Sequence, residues 1–128
     1  MSDSSRYWDW IESAQKDIRA AKILLDHEGY YGIVAFHAHQ AIEKGLKAYL
    51  LYHGQSIHNT HSLTYLIKQV VQFDADFNQF ARQLVKANRY YIKTRYPSDL
   101  PLVLSKEDAD EAYDLAKQLL DLIQSKAD

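Results

Sequence analysis

Residues 33–53 read IVAFHAHQAIEKGLKAYLLYH, from Ile33 to His53, with no proline and Gly54 immediately after. Ile33, Val34, Phe36, Ala38, Ala41, Ile42, Leu46, Ala48, Tyr49, Leu50 and Leu51 cover most of the circumference of a helix over this stretch. A helix apolar nearly all round is buried by other helices. At the usual rise it is roughly 31 Å long, the span of a small domain. Its middle nevertheless carries His37, His39, Gln40, Glu43, Lys44 and Lys47. Polar groups there must be satisfied internally, at an interface or by a ligand.

Four further helical patterns surround this one. Trp8, Ile11, Ala14, Ile18, Ala21 and Leu25 recur at helical spacing within Ser5 to Glu28, with Ser4 or Ser5 as the expected cap. The short Gly-Tyr-Tyr-Gly connection at 29–32 makes the first two helices antiparallel neighbours. A third, shorter helix is expected from His61 to Phe73. A fourth, capped by Asp74, carries Phe77, Phe80, Leu84 and Tyr91 and ends at Arg95-Tyr96-Pro97. After the extended segment SDLPLVL, Ser105 and Asp108 form a capping-box start for a last helix striped by Ala109, Ala112, Ala116, Leu119 and Ile123. No segment alternates as a strand does. The 128 residues therefore predict one all-α domain over 1–128, an up-and-down antiparallel bundle of four to five helices.

Composition narrows the function classes. The net charge of -2 argues against a generally basic nucleic-acid coat and leaves room for a local basic stripe. With no cysteine there is no thiol nucleophile, disulfide framework or Cys-type zinc site. The start MSDSSRYWDW is not a secretory signal and no apolar run reaches the length of a membrane span, so a cytoplasmic location without membrane contact is expected.

Arg82, Lys86, Arg89 and Lys93 step by four, three and four along the fourth helix, with Arg95 and Tyr96 just beyond and Tyr90 and Tyr91 interleaved. Such a row is either a solvated face or a place for phosphates with stacked bases. Gln40, Glu43, Lys44 and Lys47 form a polar seam on the central helix. It reads as surface pairing or as a register-fixing or dimer contact. His37 and His39, two residues apart, cannot chelate one ion together. His39 with Glu43, or His58 with His61, gives no recognised metal motif, and neither a metal nor a cofactor is expected. No GxSxG or glycine-rich phosphate loop is present. A third reading makes Trp10, Tyr30, Tyr31 and Tyr52 interface residues of a scaffold.

Several of these pieces occur together in one known pattern. They are Trp8 with Ala14, Asp17, Ala20 and Ala21; Gly29-Tyr30-Tyr31; the run Phe36-His37-Ala38-His39-Gln40-Ala41-Ile42-Glu43-Lys44-Gly45-Leu46-Lys47-Ala48; Thr60-His61-Ser62-Leu63; and Arg95-Tyr96-Pro97. In combination they resemble the HEPN domain family, named for higher eukaryotes and prokaryotes nucleotide-binding. The resemblance implies a helical bundle, commonly a homodimer. It also implies nucleotide or RNA binding and a minimal nucleotidyltransferase partner in a two-component or toxin–antitoxin system. Arg89, Lys93, Arg95, Tyr96 and His61 are then the candidate phosphate and nucleotide contacts. Many members are ribonucleases using Arg-x4-6-His. Here Arg89 is followed at the allowed positions by Thr94, Arg95 and Tyr96, and Arg95 by Leu100, Pro101 and Leu102. The chain resembles the subgroup without that pair. No catalytic residue is expected, and a ribonuclease with a variant site, using His58 or His61, is the alternative.

Overall fold

In the computed structural model, residues 3–27, 29–95 and 103–127 are described, with side chains given up to Asn88 in the fourth helix and again from Val103. Among the described residues five α-helices follow one another: α1 (Tyr7–Asp26), α2 (Tyr31–Tyr52), α3 (Leu63–Val71), α4 (Ala81–Arg95) and α5 (Lys106–Lys126). A 3-10 turn, Ala75–Phe80, precedes α4. Among the described residues there is no strand.

α2 is the central element: 13 of its 22 residues are buried, and it packs against each of the other four helices. Its register with α1 is antiparallel, since Tyr7 meets Tyr52, Trp10 meets Lys47 and Asp17 meets Lys44. α5 runs back against α1, with Tyr113 beside Lys22 and Ala127 near Tyr7 and Trp8. α4 opposes α5, because Lys86 reaches Glu111 while Asp76 reaches Lys126. The four long helices thus alternate in direction. α3 is a short return piece that runs alongside α2.

Local chemistry explains the ends. Gly54 has φ of 79°, the left-handed conformation that closes α2. The Gly54 and Gln55 N–H groups donate to the Leu51 and Leu50 carbonyls, both at 3.0 Å, which is a Schellman closure. Ser105 and Asp108 form the expected capping box, and the Ser105 backbone N–H holds the Asp108 carboxyl below its ordinary range. α1 departs from expectation: neither Ser4 nor Ser5 caps it, because the Ser4 hydroxyl instead donates to Asp9 at 2.6 Å. α3 starts at Leu63 rather than His61, because Ser62 caps it by accepting from the Tyr65 N–H. Asp74 caps the 3-10 turn, not α4 itself.

The core is contiguous from Ile11 and Ala14 of α1, through Ile42, Leu46 and Leu50 of α2, to Phe77, Leu84 and Leu119. A smaller cluster of Ala21, Leu25, Val34 and Ala109 closes the other end. Phe77, Phe80 and Leu84 are buried as the fourth pattern requires, and Tyr91 lies outside the described side chains. Gly45 lets α5 approach α2 closely: a Cβ there would sit 3.0 Å from Ile123 Cδ1. No described helix is long and apolar enough to cross a membrane.

Candidate functional site

The polar seam of α2 divides into two sites. Lys44 turns to α1, where Asp17 receives it at 2.8 Å and holds His37 Nδ1 at 2.9 Å with its other oxygen. Glu43 and Lys47 turn the other way and are buried, 3% and 6% exposed. Lys47 Nζ donates to Glu43 Oε2 at 3.1 Å and lies 5.6 Å from the centroid of the Trp10 ring. Desolvated charges require compensation, and the carboxylate, the ammonium and the indole face supply it mutually.

The second oxygen of Glu43 reaches outward. His61 Nδ1 lies 3.0 Å from Glu43 Oε1, while the imidazole is 63% exposed. An ionised carboxylate only accepts, so the ring donates from Nδ1 and a neutral imidazole then carries its lone pair on Nε2. A buried carboxylate therefore fixes both the orientation and the tautomer of a surface histidine.

The segment that carries His61 is tied to α4 through Leu63. Thr60 Oγ1 accepts from the Ser62 N–H at 3.1 Å, which shapes the turn before α3. Leu63, first residue of α3, donates its N–H to Asn88 Oδ1 of α4 at 2.9 Å. The Thr60–Leu63 segment is thereby tied to both α2 and α4, and the residue after Asn88 is Arg89. Arg89, Lys93 and Arg95 continue along α4 with their side chains outside the described set, and Tyr96 lies outside the described residues. His58 is separate from His61: its Nδ1 lies 3.0 Å from the Tyr65 hydroxyl.

Charge is segregated across the bundle. α3 and α4 contain Lys68, Arg82, Lys86, Arg89, Lys93 and Arg95 and no carboxylate. α5 carries Glu107, Asp108, Asp110, Glu111, Asp114 and Asp121 against three lysines. A chain of net charge -2 thus concentrates cations on two consecutive helices. Lys86 of that row also pairs with Glu111 at 3.4 Å, so part of the row is engaged by α5.

Glu43 and Lys47 are buried within one chain and pair with each other. One expectation changes. Trp10 is half-buried against Lys47, with its indole N–H donated to the Ser4 carbonyl at 2.8 Å, and is not a surface anchor. Of the other proposed scaffold residues, Tyr30 and Tyr52 are exposed and Tyr31 is half-buried. Gln40 is half-buried and His39 fully buried. Among the described residues no three His, Asp or Glu side chains come together as a metal site.

The joining of Glu43 to His61 is absent from a reading by helical spacing, because it crosses 18 positions and a loop. The Asp17 node had one sequence signal: His37 and Lys44 are seven apart, two turns along one face of α2.

Similarity to known proteins agrees with this architecture. The family model described as HEPN domain matches residues 7–126. A crystal structure of TT1696 from Thermus thermophilus superposes with a TM-score of 0.84 at 32% identity, covering 96% of this chain and 99% of that one. ST0689, described as an archaeal HEPN homologue, shares the fold with a TM-score of 0.76 at 24% identity, covering 96% and 98%. No curated protein matches the sequence at a significant level. With nearly its whole length inside the family match, the chain belongs to the HEPN domain family.

Proposed function

We propose that this HEPN domain is a non-catalytic binding module for the phosphate groups of a nucleotide or RNA. It would act as a homodimer with a minimal nucleotidyltransferase partner, in a two-component or toxin–antitoxin system. The supporting observation is the placement of His61, held on buried Glu43, beside two helices that carry six cations and no carboxylate. Arg89, Lys93 and Arg95 then supply charge-assisted contacts to phosphate, Tyr96 a stacking surface, and His61 a hydrogen bond. No cofactor enters this reading.

The test is binding of labelled nucleotides and short RNA to the full chain across a salt series. Affinity should fall steeply with salt, and Arg89→Ala with Arg95→Ala should abolish it while helicity is retained. Unchanged binding in that double variant would remove the site assignment. Copurification from the host tests the nucleotidyltransferase partner separately.

The carboxylate-oriented imidazole favours one second reading, a ribonuclease with a variant site. His61 would exchange the proton, and Arg89 or Arg95 would steady charge on the phosphate. Purified protein that leaves mixed RNA intact at neutral pH, alone and with its partner, rules this out.

A further inference from the structure

One lysine stands apart from the rest. Every other lysine with a described side chain pairs with a carboxylate, from Lys16 with Glu12 to Lys126 with Asp74. Among the described residues, Lys68 of α3 has no such partner. The chain holds no carboxylate between Glu43, which is buried, and Asp74. Asp74 and its neighbour Asp76 are both held by Lys126, at 2.6 Å. A single exposed ammonium is ordinary, so its meaning depends on what lies on either side of it.

On one side lies an aromatic ring held in place. Tyr65 is 41% exposed, yet its hydroxyl lies 3.0 Å from His58 Nδ1 and its backbone N–H donates to the Ser62 cap at 3.2 Å. Residues three apart on a helix are neighbours, about 5–6 Å between Cβ atoms, so Tyr65 and Lys68 share the outer face of α3. On the other side Lys68 enters the lining of a cavity of about 150 Å³ between α3, the 3-10 turn and α4. Ile67, Val71 and Ala81 supply its apolar wall, and Asn78 supplies a carboxamide.

Ring, unpaired ammonium and apolar cavity thus follow one another along α3. An oriented aromatic face stacks on a nucleobase of any kind. An ammonium without a counter-charge takes a phosphate. A carboxamide carries both a donor and an acceptor for the edge of a base. We propose that the outer face of α3 is a subsite for a single strand of nucleic acid, with one base stacked on Tyr65, the linking phosphate on Lys68 and the next base in the cavity beside Asn78. This rests on the phosphate-binding reading above and makes the ligand a strand, because a mononucleotide cannot fill both base positions.

The test follows binding of a fluorescein-labelled ten-nucleotide oligoadenylate to the full chain by anisotropy across a salt series. Tyr65→Ala should weaken it about tenfold with helicity unchanged. Lys68→Ala should weaken it and lower the salt slope by about one, whereas Lys117→Ala on α5 should leave it unchanged. The dinucleotide ApA should displace the label at lower concentration than AMP. Wild-type affinity in both Tyr65→Ala and Lys68→Ala overturns the subsite; if Arg89→Ala with Arg95→Ala still abolishes binding, the phosphate reading stands without it. Loss in the α3 variants with the double arginine variant unaffected supports the subsite and removes Arg89 and Arg95 instead. Equal displacement by ApA and AMP overturns the strand. Displacement by oligoglutamate as effective as by unlabelled oligoadenylate overturns it in favour of an acidic peptide, and a wild-type chain that does not bind overturns both readings.

Discussion

Glu43 and His61, 18 residues apart in the chain, meet at 3.0 Å across the start of α3, and the same carboxylate holds Lys47 at 3.1 Å. The two partners of Glu43 differ in solvent: the Lys47 side chain is 6% exposed and that of His61 63%. Their removal should therefore cost different amounts. Glu43→Ala leaves a buried ammonium without its counter-charge and should lose about 3 kcal/mol in urea unfolding. Adding Lys47→Met should recover part of that loss, whereas His61→Ala should cost under about 1 kcal/mol. A loss below about 1 kcal/mol for Glu43→Ala would show that solvent screens the pair.

Asn88 ties the start of α3 to α4. Asn88→Ala strips the Leu63 N–H of its acceptor and should cost about 1 kcal/mol, with faster hydrogen exchange at Leu63. Asn88→Asp keeps an acceptor and adds a negative charge next to Arg89 in sequence. It should preserve stability yet weaken phosphate binding. Equal phosphate affinity in wild type and Asn88→Asp would separate this end of α4 from the ligand.

Acid sensitivity should concentrate on a few surface carboxylates. The Lys126 ammonium and the Asp76 N–H hold the Asp74 carboxyl below its ordinary value of 3.8. Asp9 is lowered by the Ser4 hydroxyl and Arg6, and Asp108 by the Ser105 backbone. A carboxyl depressed on folding contributes stability that is complete above its unfolded value and disappears as pH falls through its folded value. The melting temperature should therefore drop between about pH 4 and pH 2, and Lys126→Met should make that drop smaller. An identical drop in Lys126→Met would show that Asp74 and its pairing do not govern the acid limb.

Gly45 is constrained by packing. Its missing Cβ faces Ile123 Cδ1 at 3.0 Å and Leu120 Cδ1 at 3.3 Å, both ends of flexible side chains. Gly45→Ala should be nearly neutral in chemical denaturation, because a helix-propensity gain of about 1 kcal/mol offsets the small displacement. Gly45→Val adds two methyl groups and should cost about 1–3 kcal/mol. A neutral valine would mean that α5 moves away from α2 without penalty.

Much of the fold was legible because it rests on periodicity. The apolar circumference from Ile33 to Leu51 marks a buried helix whatever surrounds it, and α2 packs against every other helix. Ser105 with Asp108, and Gly54 after a long helix, are local signals, since their hydrogen bonds span only a few residues. The start of α1 is not legible in this way, because the Ser4 hydroxyl has a competing acceptor in Asp9. The candidate site was only half legible. The row Arg82, Lys86, Arg89 and Lys93 is a spacing along one helix, whereas the role of Glu43 depends on what covers it.

By itself, the sequence determined the number and order of the helices, the central place of 33–53 and the concentration of positive charge after Leu63. These follow from side-chain periodicity, capping chemistry and composition, all of which are local. Tertiary structure alone decided that Glu43 is buried and reaches His61 while Lys44 serves Asp17, and that Trp10 is half-buried while Trp8 is exposed. Adjacent residues on a helix diverge by about 100°. Which of two neighbouring lysines or tryptophans is buried is therefore set by the partner helix or loop that covers that side. Those partners come from distant parts of the chain.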